Sequence, residues 1–211
     1  MDTSSNRNPS MLSFAKDLPN ICSLVGLLCA LLGMYYAILG MFSAAMIGFI
    51  WTVLFDWSEG IIARQMKGRT EEQRSLGVQL DSLIDLVSFG VGPAVVLLSY
   101  GHFSPWFLPG AFIIIAAIAI RLSYFNVFGL VDKSTYMGLA ADNNMIILAL
   151  AFLLNGHISQ TAFSIFLYVL IVALAFFNVA PVRTPKLEGR WYYVLIVYTL
   201  VLTVIYMRQL V

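Results

Sequence analysis

Four carboxylates stand in the ends of two otherwise apolar stretches: Asp56 and Glu59, three residues apart, and Asp81 and Asp85, four apart. On helices, each pair shares one face, so two helices would aim two acids each at one place. An acid at the centre of a membrane helix costs about 2.5 to 3.5 kcal/mol, and four cost on the order of 10 kcal/mol, less near the interface. Something cationic should therefore sit among them. Carboxylate oxygens suit hard divalent ions, Mg²⁺ or Mn²⁺, and two such ions balance four acids. With no His or Cys close by in the sequence, zinc is disfavoured. Paired metal ions are the usual machinery for displacement at phosphorus, clamping attacking and leaving oxygens.

Small residues extend both acidic faces. Gly60, Ala63 and Arg64 follow Asp56 at helical spacings of four, seven and eight, and Gly77, Asp81, Asp85 and Ser88 form a matching stripe. A shallow Gly/Ala groove has room for a base or a sugar, and Arg64 can fork onto a phosphate.

The elements that must position these groups are membrane helices. Of 211 residues, 60% are hydrophobic and 11% charged, which excludes a soluble core and gives an all-α, polytopic bundle. About seven spans are expected: 20–39, 42–64, 76–100, 106–128, a short 138–154, 162–179 and 191–207. Residues 1–17 form a polar N-terminal segment, disordered at first, in which MLSFAKDLPN can make an interfacial helix; residues 18–211 are the membrane domain. No cleavable signal peptide is expected, because the polar start lacks an apolar core. Gly26, Gly33 and Gly40 offer the first span a smooth packing face. Pro93 is expected to kink the third. Trp51 and Trp57 read as interfacial anchors. Residues 65–75 read as a long polar loop, and Cys22 and Cys29 as inert buried thiols.

The basic residues fix an orientation. With the N-terminus inside, Arg7, Lys16, Arg64, Lys67, Arg69, Arg74, Arg121, Lys133, Arg183, Lys186 and Arg190 collect on the cytosolic side and Arg208 alone lies outside, eleven against one. The acids then face the cytosol. His102 and His157 fall in the opposite loops, which argues against a histidine base.

The run DWSEGIIAR, a spacer and GVQLDSLID resembles the signature of the CDP-alcohol phosphotransferases, D-x-x-D-G-x-x-A-R followed by G-x-x-x-D-x-x-x-D. Two departures fall on the site: Glu59 stands where the family has Asp, and the spacer from Arg64 to Gly77, twelve residues, is longer than usual. DSLIDLVSFGVGP, LPNICSLVG, RLSYFNVFGL and VRTPKL are similar to the phosphatidylserine synthase branch. The resemblance implies a six-helix core, two metal ions held by Asp56, Glu59, Asp81 and Asp85, and Asp85 as candidate general base. It further implies that Gly60, Ala63, Arg64 and Gly77 bind CDP. The substrates would be CDP-diacylglycerol and a small polar alcohol, serine first. Inositol phosphate, glycerol phosphate and amino alcohols are other acceptors; a CDP-choline or CDP-ethanolamine type of transfer is a rival, and a cation transporter or channel is the rival of another class. A homodimer in a lipid bilayer is expected, without nucleic acid.

Arg121 is the one basic residue deep in an apolar run. It reads either as a snorkelling or structural ion pair, or as an anion site for the acceptor. Where the branch often has R-L-A-R-F-N this chain has RLSYFN, and where it has G-L-P-x-P-A this chain has GLAADNN. Asp142 therefore either complements a helix dipole or binds an amine.

Overall fold

The computed structural model describes residues 10–132 and 135–210. Arg7, Lys133 and the first nine residues of the N-terminal segment lie outside them.

The expected interfacial helix is α1, Met11–Ala15. The first long helix, α2 (Leu18–Ile38), starts with Pro19 in its first turn, where the missing N–H costs nothing. Asp17 occupies the N-cap position, yet its carboxylate turns away to pair with Arg69 at 2.7 Å, both side chains being buried. Helix α3 (Phe42–Gln65) runs back along α2. A Cβ on Gly48 would lie 2.8 Å from the Cys29 carbonyl, so the two backbones touch where the sequence supplies only small residues. Thr52 donates to the Gly26 carbonyl at 3.2 Å across the same seam. Both cysteines are free, as expected, but half-buried rather than buried, and Cys22 Sγ lies 3.3 Å from the Phe55 carbonyl.

The expected long loop after α3 is only residues 66–70. Helix α4 begins at Glu71 because Thr70 and Gln73 form a reciprocal capping box, which satisfies two N–H groups at the helix start. Helix α4 (Glu71–Asp85), a wider π turn (Leu86–Val91) and α5 (Gly92–Tyr100) make one rod of 30 residues. The disturbance foreseen at Pro93 takes the form of that π turn, just before it.

Helix α6 (Leu108–Phe128) follows a tight turn, and Gly129, at φ +67°, ends it. An addition to the all-α reading comes next: β1 (Thr135–Met137) pairs antiparallel with β2 (Arg183–Pro185), Tyr136 opposite Thr184. The ribbon pins two loops to each other.

The fifth expected span differs most. Helix α7 covers only Asn143–Ala151 and finishes as a tighter turn through Leu154, because residues 138–142 are spent otherwise. Gly138 has φ +76°, and a Cβ there would run into the Asn178 carbonyl. Leu139 N–H donates to the Phe177 carbonyl, and its own carbonyl accepts from Asn178 and Arg121. Non-helical backbone survives among membrane helices only where protein satisfies it, and here it does. Helix α7 still joins the two ends of the bundle, from Asp142 beside Trp57 to Asn155 beside Tyr100.

Helices α8 (Gln160–Val179) and α9 (Arg190–Leu210) complete the bundle. Among the described residues, six helices, the α4–α5 rod counted as one, are long and apolar enough to cross a bilayer, and Asn143–Leu154 is a shorter apolar one. The buried core joins Phe49, Phe89, Ile114, Met145, Leu167 and Tyr206.

Candidate active site

The cavity forms where the last turns of α3 meet the last turns of α4. Spacings of three and four put Asp56 and Glu59 on one face and Asp81 and Asp85 on the other, and all four line a cavity of about 260 Å³. Oxygens of Asp56, Asp81 and Asp85 lie within 4.8 Å of one another. Glu59 stands outside this cluster, in the field of Asp81 on one hand and of Arg69 and Arg64 on the other. Among the described residues the ion pairs are Arg69–Asp17 and Lys186–Glu188, so no Lys or Arg neutralises the three clustered acids within 4 Å. Converging, half-buried carboxylate oxygens without a cationic partner suit a hard divalent cation.

The remaining site residues separate into two sets. Gly60 and Arg64 line the cavity, and the Arg64 guanidinium folds back over Gly60, where a Cβ would lie 3.4 Å from Nη1. Ala63 and Gly77 lie outside the lining. Gly77 is buried against Asn20 and the Arg69 guanidinium, a Cβ there lying 2.8 Å from Arg69 Nη2.

Arg121 and Asp142 both reach the cavity. Arg121 is 8% exposed, donates Nε–H to the Leu139 carbonyl at 2.6 Å and holds its guanidinium 5.5 Å from the Tyr136 ring centroid. A snorkelling arginine would reach for water, so that reading of Arg121 fails. Asp142, at the N-cap position of α7, accepts from Trp57 Nε1 at 2.7 Å. Burial first, and the Asp142 charge second, push the Tyr136 phenol up to about 12, so it stays a hydroxyl donor at neutral pH.

Sequence reasoning missed several of these neighbours. Trp57, read from the sequence as an interfacial anchor, also donates to Asp142, and Trp51 donates to Thr203 at 3.2 Å. A tryptophan one residue after an acid was the available signal for the first. Tyr136 enters on β1, Lys186 on the loop after β2 and Tyr192 on the first turn of α9, by tertiary packing that no periodicity encodes. His102 lies away from the cavity, 2.9 Å from Gln160, as the opposite-loop expectation had it.

The class follows from this arrangement: a polytopic helical membrane protein whose neighbouring spans present clustered acids, backed by a buried arginine, to a polar cavity. A sequence model of CDP-alcohol phosphatidyltransferases matches residues 16–207. The chain belongs to that family, and is an enzyme that transfers a phosphatidyl-type group from a CDP-linked donor. Archaetidylserine synthase of Methanothermobacter thermautotrophicus is 28% identical over 174 residues, 82% of this chain and 71% of the relative. CDP-diacylglycerol–serine O-phosphatidyltransferase of Methanocaldococcus jannaschii is 26% identical over 156 residues, 73% and 70% respectively.

Proposed function

We propose that the chain transfers a phosphatidyl group from CDP-diacylglycerol to L-serine and releases CMP, with two divalent ions, Mg²⁺ or Mn²⁺, in the acidic cluster. The observation that carries this reading is the convergence of Asp56, Asp81 and Asp85 in one cavity with Arg121 and Asp142. Both relatives named above carry serine in their names, which supports the choice of acceptor.

Asp56, Glu59, Asp81 and Asp85 would hold the ions, Glu59 with its longer side chain reaching in from outside the cluster. When bound, the ions supply Lewis-acid stabilisation of the charge that develops on the pyrophosphate oxygens. Gly60, Ala63, Arg64 and Gly77 take the nucleotide, with Arg64 forked onto a phosphate. Gly77 would contact it only after Arg69 moves from its place over that residue. Serine enters beside Arg121 and Asp142, a fixed cation for its carboxylate and a fixed anion for its ammonium. Asp85 accepts the proton of the serine hydroxyl as that oxygen bonds to the lipid-side phosphorus. The bond from phosphorus to the CMP oxygen breaks, and CMP leaves with the electron pair.

CMP release from solubilised protein tests the reading, with CDP-diacylglycerol as donor, a donor bearing archaetidyl chains in parallel, and a panel of alcohols. Release stimulated by serine, and by Mg²⁺ or Mn²⁺, is the expected result. Indifference to serine with stimulation by another alcohol removes serine; turnover of CDP-choline or CDP-ethanolamine with a lipid acceptor removes the donor.

The site faces the cytosol in this reading, since the basic residues gather at its end of the bundle. A soluble nucleotide and a lipid meet naturally at such an interface. Single cysteines placed at Lys67 and His157 test it in intact cells: an impermeant maleimide should label position 157 alone. The protein acts as a homodimer, a state that mass measurement in detergent checks.

A further inference from the structure

Behind the cavity, buried amides form an unbroken polar chain. Pro93 has no N–H, so the Phe89 carbonyl, its partner four residues earlier on the α4–α5 rod, lacks its α-helical donor. Asn144 Nδ2 donates to that carbonyl at 3.2 Å and lies 3.1 Å from Asn178 Oδ1, which also accepts from it. Asn178 Nδ2 donates to the Leu139 carbonyl at 3.2 Å, and Arg121 Nε donates to the same oxygen. Asn144 is fully buried and Asn178 is 1% exposed. Asn144 Oδ1 finds no hydrogen-bond partner.

Such an arrangement is a poor way to fill a core. A buried amide oxygen left without a partner costs about 1 to 3 kcal/mol, and one donor to the Phe89 carbonyl would satisfy the rod without a second buried amide at Asn178. What the amides do connect is functional at each end. One terminus is a carbonyl of the rod, four residues beyond Asp85; the other is Arg121, whose charge works against Asp85, Asp56 and Asp142. With Nε held by Leu139, the guanidinium keeps four N–H groups on its Nη atoms for a ligand. Without that hold, the attraction of the acids would draw it toward the cluster.

We propose that Asn144 and Asn178 are positioning residues, a linked amide pair that locks the Arg121 guanidinium in register with the acid-bearing rod and thereby places the anionic group of the acceptor. The proposal rests on the serine-transfer reading of the cavity. The pair touches no substrate; it acts through Leu139 and Phe89.

The test compares Asn178→Leu, Asn144→Leu and the double variant with the wild type in KM for L-serine, KM for CDP-diacylglycerol and Kd for CMP. Asn178→Leu should raise the serine KM about tenfold while the donor KM and CMP affinity stay within about twofold. The double variant should be no worse than the worse single, because both residues work through one path. Equal changes in both KM values, or an unchanged serine KM in folded Asn178→Leu, would overturn the proposal. Asn178→Asp keeps the shape and replaces the amide donor, and should show the same split if the leucine variant does not fold. Failure of both to fold marks a purely structural pair and equally rejects the role. If wild-type release ignores serine, the serine reading fails separately, and the same KM split is read with whichever alcohol does stimulate release.

Discussion

The two ends of the helix bundle solve opposite problems with similar polar resources. At the end away from the cavity, Phe42, Tyr100, Phe152 and Phe163 pack ring on ring with centroids 4.9 to 5.9 Å apart, and Tyr100 donates to Asn155 at 2.9 Å. The polar groups there are neutral, and they close the structure. At the cavity end, three carboxylates crowd within 4.8 Å without a Lys or Arg partner, and the backbone of residues 138–142 gives up helix to hold Arg121. Neutral hydrogen bonds stabilise a membrane bundle cheaply; clustered like charges do not. The difference sets the cavity end apart as the place where a divalent cation could stabilise the clustered acids.

The largest effect should come from the acids. Asp85→Asn or Asp81→Asn is expected to lower kcat for CMP release about 10³-fold or more, since each removes charge that acts only where the pyrophosphate reacts. Stability should move the other way. Removing one of three crowded carboxylates relieves repulsion, so the metal-free variants should melt no lower than wild type. Mg²⁺ or Mn²⁺ should raise the wild-type Tm and raise that of the variants less. A variant that is destabilised without metal, or that retains activity, breaks the comparison at its root.

Phe163→Ala probes the far end with a comparable free energy. The side chain is fully buried among Tyr100, Phe152 and Phe166, and its loss should cost about 3 to 5 kcal/mol of stability. Activity per folded molecule should hold, as judged by active-site titration against the folded fraction. Trp57→Phe is milder: it keeps an aromatic but smaller ring and removes the 2.7 Å bond to Asp142, and should raise the serine KM about tenfold with little change in the donor KM. A donor KM that rises equally would take Asp142 out of acceptor recognition.

What the sequence reveals divides along the same line. The acids, the helix pairs that carry them and the small-residue seam of α2 and α3 repeat at helical spacings, and spacing survives folding unchanged. Gly33 meets Gly48, and Gly26 meets Thr52 and Phe55, across that seam, whereas Gly40, also expected on the packing face, sits at φ +74° with nothing against it. The neighbours of Asp142 obey no period. Trp57 lies 85 residues away in sequence, and Tyr136 arrives on a ribbon closed by Thr184 from a distant loop. A short fifth span was legible, but its start at Asn143 was not, because GLAAD is as apolar as a helix start; only the carbonyls of Phe177 in α8 and Val182 beyond it make the non-helical form better satisfied. Pro93 was legible inside the span 76–100, but which side chain answers the Phe89 carbonyl is set by packing across helices, so nothing singled out Asn144 and Asn178.

The smallest effect gives the sharpest contrast. Tyr100→Phe deletes one hydroxyl at the far end, as Trp57→Phe deletes one N–H at the cavity end. Every ring contact of Tyr100 with Phe42, Phe152 and Phe163 survives the change. The abandoned Asn155 oxygen is half-buried and within reach of water, so the loss should be about 1 kcal/mol, seen as a Tm lower by about 2 to 4 °C. Both KM values and kcat should equal those of wild type, because the hydrogen bond fixes only where α5 meets the turn after α7. Two deletions of one hydrogen bond each would thus be read by different instruments, one by melting and the other by acceptor KM. Were Tyr100→Phe to shift the serine KM as far as Trp57→Phe does, α7 would be transmitting strain from one end to the other. The far end would then belong to the catalytic apparatus rather than closing the bundle.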